Sequence, residues 1–339
     1  MDALSDVLRA VHLTGAVFFD VHASPPWVAA SPPGDRIVRK IFPGADHLVF
    51  YHVVAQGTCW GGPEGGSPVA LSAGDIVVFP RGDAHVMSSA PGMRGTPDIA
   101  SYEPPVDGQL PTPVRLGEGA TTAHVICGFL GCAGGPFNPL LESLPRVMRA
   151  SDRPGGPIGA FLNLAIAEST QPRAGGLCML GRLSELMFVE VIRRHLESMP
   201  ADEANWLAGL RDPFVGKALA ALHREPARDW TIDLLARDAG LSRSALADRF
   251  TRFVGQPPIQ YLTNWRMQLA AADLRRGADS LAQIAERIGY ESEAAFSRAF
   301  KKAVGLSPGR WRKEAGQAMA AEAALPVPPS GGDALDQQH

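Results

Sequence analysis

The chain has 339 residues, 45% of them hydrophobic and 20% charged, which is enough length for two domains. Its formal net charge of -3 would argue against a nucleic-acid partner, but residues 213–313 hold 17 Lys and Arg against 10 Asp and Glu while the remainder holds 15 against 25, so a basic block is hidden in the average. No stretch approaches the ~20 apolar residues of a membrane span, the first fifteen residues lack the basic start and apolar run of a signal peptide, and cysteines at 59, 127, 132 and 178 are too few for a disulfide scaffold and fit a reducing cytoplasm.

Residues 1–150 read as β structure. Short runs rich in Val and Phe alternate with Gly and Pro, predicting strands over Gly15–Val21, Arg36–Phe42, His47–Ala55, Pro68–Leu71, Asp75–Phe79, His85–Ser88 and Ala123–Phe129. Many short strands between turn residues suggest an all-β sandwich or barrel. Residues 146–158 are a Pro/Gly-rich connection. Residues 151–198 then carry two helices, Gly159–Thr170 and Gly176–Ser198. The second has apolar residues at Leu180, Leu183, Leu186, Met187, Val191, Ile192 and Leu196, a helical stripe that either makes a dimer contact or packs on the β domain. Residues 199–212 read as a linker ending in Asp212-Pro213, an N-cap followed by Pro at the first helical position. Residues 213–313 form an all-α domain, and 314–339 a fraying helix and then a disordered tail.

The all-α domain says the same thing twice. TIDLLARDAGLSRSALADRFTRFVGQPPIQYLTNW begins at Thr231 and SLAQIAERIGYESEAAFSRAFKKAVGLSPGRW at Ser280. Ala236 and Gly240 recur 49 positions later as Ala285 and Gly289. Ser242, Leu246, Phe250, Gly255 and Pro258 recur 50 positions later as Ser292, Phe296, Phe300, Gly305 and Pro308, so one residue is inserted in the second turn. Each unit reads as helix, glycine turn and capped second helix, with Ile232, Leu235, Ala236, Ala239, Leu246, Phe250 and Phe253 inside the first. Ile284, Ala285, Ile288, Phe296, Phe300 and Val304 play that part in the second. This is a helix-turn-helix used twice. The segment, and above all the ending YESEAAFSRAFKKAVGLSPGRWR, resembles the AraC/XylS family of transcription regulators. The resemblance implies two modules joined by a long helix over Ile259 to about Arg276, facing major-groove segments on the order of 34 Å apart.

A second resemblance lies in the β region. Gly74, Pro80, Gly82 and His85 have the spacing G-x5-P-x-G-x2-H, which resembles the second motif of the cupin family. That implies a barrel with His85 aimed inside. In enzymatic cupins this His is a metal ligand, joined by an earlier H-x-H and a Glu. Here the Glu position holds Phe50, no H-x-H precedes it, and Ser89 stands where Asn often closes the motif, so no metal, cofactor or catalytic residue is expected, and these departures argue against the remaining alternative of a metal-dependent cupin enzyme fused to a DNA module. A cupin ahead of an AraC-type domain is a known regulator architecture, and Pro26-Trp27, Cys127-Gly128-Phe129 and Asn138-Pro139-Leu140-Leu141 look like that cupin subfamily.

The candidate site residues follow. Base edges are read near the start of each second helix, at Arg243, Ser244, Ala247 and Asp248 and at Glu293, Ala294, Ser297 and Arg298. Arg298 is suited to guanine O6 and N7, and Asp248 either accepts from cytosine N4 or pairs with Arg252. Arg249, Arg252, Lys301 and Lys302 are expected to hold phosphates. His52, Trp60 and His85 are the candidates for lining an effector cavity, while Cys127 and Cys132, brought together by a turn at Gly131 or Gly134-Gly135, are the redox- or metal-responsive alternative. The partners implied are double-stranded DNA, a small-molecule or redox effector, RNA polymerase if the protein activates, and a second copy of the chain.

Overall fold

The computed structural model describes residues 2–323 apart from 104–109, 133–134, 152–155, 172 and 201. The chain opens with helix α1 (Ala3–Ala10), capped by Asp2, and enters the long strand β1 (Leu13–Ala23). The rest of the β domain is β2 (Val28–Ser31), helix α2 (Val38–Ile41), β3 (His47–Gln56), β4 (Thr58–Pro63), β5 (Val69–Ser72), β6 (Asp75–Phe79), β7 (His85–Ser88), β8 (Thr112–Leu116), β9 (Ala123–Cys132), helix α3 (Pro139–Ser143) and β10 (Met148–Ser151). Two sheets form, one ordered β10-β6-β3-β9-β1-β8 and one ordered β2-β7-β4-β5.

Strand alternation divides the six-stranded sheet into two faces. Leu48, Phe50 and Val54 of β3 turn inward with Val125, Cys127 and Phe129 of β9, and meet Cys59, Leu71 and Met87 of the second sheet in one core. Val49, Tyr51 and Val53 turn outward under helices α4 (Pro157–Thr170) and α5 (Gly176–Ser198). Contact there is at backbone distance: a Cβ on Gly15 of β1 would stand 2.3 Å from the carbonyl oxygen of Gly181 in α5. Tyr51 Oη and Ser184 Oγ, 2.5 Å apart, pin the same crossing.

The helical stripe expected on α5 is spent on this sheet. Leu180, Leu183, Met187, Val191 and Ile192 are buried, while Leu186 stays exposed. Residues 36–42 are a correction: they form a 3-10 turn and α2 rather than a strand, because Ile37, Val38, Ile41 and Phe42 bury at helical rather than alternating spacing. Residues 199–212 are a second one. They contain helix α6 (Trp206–Arg211), capped by Asn205, and Trp206 and Leu207 are fully interior. β10 likewise lies inside the stretch expected to be a plain connection.

The all-α domain comprises α7 (Val215–Arg224), α8 (Ile232–Ala239), α9 (Arg243–Val254), α10 (Pro258–Arg276), α11 (Leu281–Arg287), α12 (Glu293–Val304) and α13 (Pro308–Ala323). Helix α10 joins the two repeat units. The expected tail beyond Ala323 lies outside the described residues. Among those described, no helix is long and apolar enough to cross a membrane.

Candidate nucleic-acid interface and sensor site

Both repeat units are built by the same local chemistry. Gly240 and Gly289 each adopt a φ of 80°, the left-handed conformation that lets the chain turn. Ser242 Oγ then accepts from the Ala245 amide at 3.3 Å and Ser292 Oγ from the Ala295 amide at 3.2 Å, which starts α9 and α12. Leu246, Phe250, Phe296 and Phe300 are fully buried, so the opposite faces of both helices point away from the core.

On those faces Arg243, Ser244, Asp248 and Arg252 of α9 and Glu293, Ala294, Arg298, Lys301 and Lys302 of α12 are exposed, with Ala247 and Ser297 half-buried. Arg243 stands 3.6 Å from Asp233, and the Arg252 guanidinium lies over the Phe253 ring. Among the described residues, Asp248, Arg298, Lys301 and Lys302 take part in no ion pair. Arg249 differs from the rest. Its guanidinium clamps the buried Asp212 carboxylate with bonds of 2.6, 2.9 and 3.0 Å. Asp212 Oδ1 also accepts from the amides of Phe214 and Val215, the capping role expected of it. Burial raises the Asp212 carboxyl, but Arg249 and these amides outweigh it and hold it below its ordinary value. Arg249 is thus tied by an ion pair to the start of the first module.

In the β domain His52 and His85 do meet. Their Nε2 atoms are 2.7 Å apart, between Phe50 and Phe79, whose ring stacks on His85 at 3.9 Å. Burial takes His52 well below its ordinary pKa, with His85 adding to it, and takes His85 down to about 4 against the opposing pull of Asp83. Both rings are neutral, and the tautomers follow. His85 Nδ1 faces the Asp83 carbonyl oxygen at 2.9 Å and must donate, so His85 Nε2 accepts from His52 Nε2. His52 Nδ1 is left a buried acceptor with no hydrogen-bond partner. Trp60 does not join this pair. Cys59 and Gly61 beside it face the core, so Trp60 projects from the outer face of the second sheet.

The cysteine pair is a correction. β9 runs through Gly131 without a turn, and an odd separation along a strand puts side chains on opposite faces. Cys127 faces the inter-sheet core and Cys132 the cluster beneath the helices, on the order of 16 Å apart along the strand. Burial pushes the Cys132 thiol up to about 12 and raises Cys127 further, so neither is a ready thiolate. Gly134 lies outside the described residues.

The junction between the domains was not legible in the sequence. Gln268 of α10 is buried and its Oε1 accepts from the Phe137 amide at 3.2 Å. Tyr261 Oη, also in α10, bonds the Trp206 indole at 2.9 Å and His223 Nε2 at 2.7 Å. His223 stacks on Trp265 and lies 3.9 Å from Asp6 of α1. Arg275 reaches Asp46 at 3.5 Å. Alongside runs a cavity of about 920 Å³ lined from α1, the start of β1, α5, α7 and α10, with Leu8, Leu13, Val189, Trp265 and Leu269 among its apolar walls.

Comparison with known proteins agrees with this two-part organisation. A cupin family matches residues 2–197 and a helix-turn-helix domain family residues 235–314. An AraC-like transcription regulator of Streptomyces lividans is 35% identical over 316 residues, 92% of this chain and 98% of its own. The HTH-type transcriptional regulator AlkR of Acinetobacter baylyi is 27% identical over 321 residues, 93% and 100% of the two chains. Among solved structures, the C-terminal domain of AraT, a response regulator from Geobacillus stearothermophilus, is 33% identical with a TM-score of 0.29, covering 30% of this chain and 85% of its own.

Proposed function

We propose, from the premise that this chain belongs to the AraC-type transcription regulators with a cupin domain ahead of the helix-turn-helix region, that α9 and α12 enter adjacent major-groove segments and that an effector at the domain junction sets their arrangement. Arg298 reads a guanine, Asp248 a cytosine amine, and Arg243, Ser244, Ala247, Glu293, Ala294 and Ser297 complete the base-facing surface. Arg252, Lys301 and Lys302 anchor phosphates. What supports this reading is the pair of capped helices with exposed polar faces in a domain carrying 17 basic against 10 acidic residues. The protein works in the cytoplasm, meets RNA polymerase where it activates, and pairs with a second copy through Leu164, Leu177 and Met179, which α4 and α5 leave exposed.

The effector is a small organic molecule with an apolar body. The junction cavity suits it better than the space between His52 and His85, because those rings already bond each other in a packed core. Binding there shifts the domain arrangement by no more than the effector's differential affinity for the two arrangements. Footprinting with Arg298→Ala and Lys301→Ala tests the DNA part. Arg298→Ala should lose roughly 1–3 kcal/mol of preference at one base position, and Lys301→Ala should weaken all sequences alike. Identical behaviour of the two variants would refute the division into reading and anchoring residues.

A further inference from the structure

A cluster outside all of these sites lies on the outer face of the six-stranded sheet. Asp20 and His22 alternate with the core residues Val21 and Ala23 along β1, so both project outward. His124 of β9 is the register partner of His22 and projects the same way. The two imidazoles stack with centroids 4.3 Å apart and planes 11° from parallel. Their Nε2 atoms converge on one carboxylate, His124 at 2.5 Å from Asp20 Oδ1 and His22 at 3.5 Å from Oδ2.

We propose that Asp20, His22 and His124 bind a divalent first-row transition ion, with Zn²⁺ as the reference ion. Ligands about 2.1 Å from such an ion stand roughly 3.0–3.4 Å from one another in octahedral or tetrahedral geometry. The two carboxylate–imidazole separations bracket that range, and one ligand atom from each of the three residues lies within 4.8 Å of the other two. Two imidazoles and one carboxylate are borderline ligands suited to zinc and its neighbours rather than to calcium or magnesium. The Asp20 carboxylate faces the two imidazoles and supplies the one anionic ligand a dication would meet there. The side chains of His22, Asp20 and His124 are 34%, 21% and 16% exposed, so an ion can enter from solvent and keep water in its remaining positions. An ion held here joins β1 to β9 on the face that α5 covers farther along.

The test uses the untagged full-length protein, stripped with a chelator and titrated with Zn²⁺ by calorimetry, with thermal melts in parallel. One ion per chain and a Zn²⁺-dependent rise in Tm are expected. His22→Ala and Asp20→Asn should each lose at least tenfold in affinity, and Co²⁺ absorption bands seen with the unaltered protein should fade in both. His22→Ala keeps the Asp20–His124 bond, so its metal-free Tm should match that of the unaltered protein and its binding loss cannot be blamed on unfolding. Cys178→Ser, which removes an exposed thiol, should bind as the unaltered protein does. Arg115 is exposed and sits in register with His22 on β8, so Arg115→Ala should tighten binding. No stoichiometric uptake by the unaltered protein, undiminished binding in both cluster variants, or weaker binding in Arg115→Ala would overturn the assignment.

Discussion

Leu235, Leu246 and Phe250 of the first helix-turn-helix module belong to the same buried cluster as Val7, Leu140 and Phe188 of the sensor domain. Ile284, Phe296 and Phe300 of the second module form a cluster of their own with Met267, Ala271 and Leu274 of α10. The two units share their turn glycines, their serine caps and the Phe250/Phe300 position, yet one continues the core of the cupin domain and the other does not. Identical local chemistry thus yields two different mechanical elements. The first module shares its core with the cupin domain, and the second is joined to it through α10. The divergence extends to the surface, where Asp248 of α9 corresponds to Arg298 of α12, with opposite charge at one repeat position.

Core truncation should separate the modules most strongly. Phe250→Ala and Phe300→Ala should each cost about 3–5 kcal/mol, because both rings are fully buried. Phe250→Ala should lower the unfolding temperature of the sensor domain as well. Phe300→Ala should open only the second module, detectable as early proteolysis after α10 with the sensor transition unmoved. A common transition in both variants would dissolve the distinction.

Acid should act in the same direction. Burial holds His223 at about 3 and His85 at about 4 in the folded protein, while an unfolded histidine titrates near 6.5. Between those values the unfolded chain binds more protons, so their contribution to stability is complete above about 6.5 and is lost as pH falls toward 4 and then 3. The second module contains no histidine. Melting profiles over this range should show the sensor and first module weakening ahead of the second.

The turn glycines sharpen the comparison on a smaller scale. A Cβ at Gly240 meets nothing within 4 Å, so Gly240→Ala should cost only the left-handed strain, about 1–2 kcal/mol. At Gly289 the same atom would lie 2.4 Å from the Ala227 carbonyl oxygen, a backbone contact between the second module and the loop before α8. Gly289→Ala should therefore be the more damaging of the two in denaturant titrations.

Smallest in energy, but most specific, is the contrast between Arg249 and Lys301. Lys301→Ala should reduce the slope of log affinity against log salt by about 0.9 and leave folding unchanged. Arg249→Ala should destabilise the first module, whose Asp212 then loses its partner, and leave the salt slope alone. The reverse pattern would return Arg249 to the phosphate-binding set.

What could be predicted from the chain and what could not divide along a physical line. Gly240 and Gly289, Ser242 and Ser292, and the apolar pairs Leu246/Phe250 and Phe296/Phe300 act within a few residues of themselves, so their spacing alone determined two helix-turn-helix units and the faces they expose. His85 was aimed inward by a local corner, Pro80-Arg81-Gly82, and His52 met it there. Effects that join distant segments were decided only by the tertiary structure. Asp212 captures Arg249, Gln268 receives the Phe137 amide, and His124 lies beside Asp20 and His22 across a hundred residues of chain. Cys127 and Cys132 parted because β9 continues where a glycine offered a turn, and strand pairing with β1 and β3 outweighed that option. Helix α6 formed where a linker was expected, since Trp206 and Leu207 find a shared core that no local pattern announces. Local backbone preference is written in neighbouring residues, whereas burial and ion pairing depend on which surfaces the fold brings together.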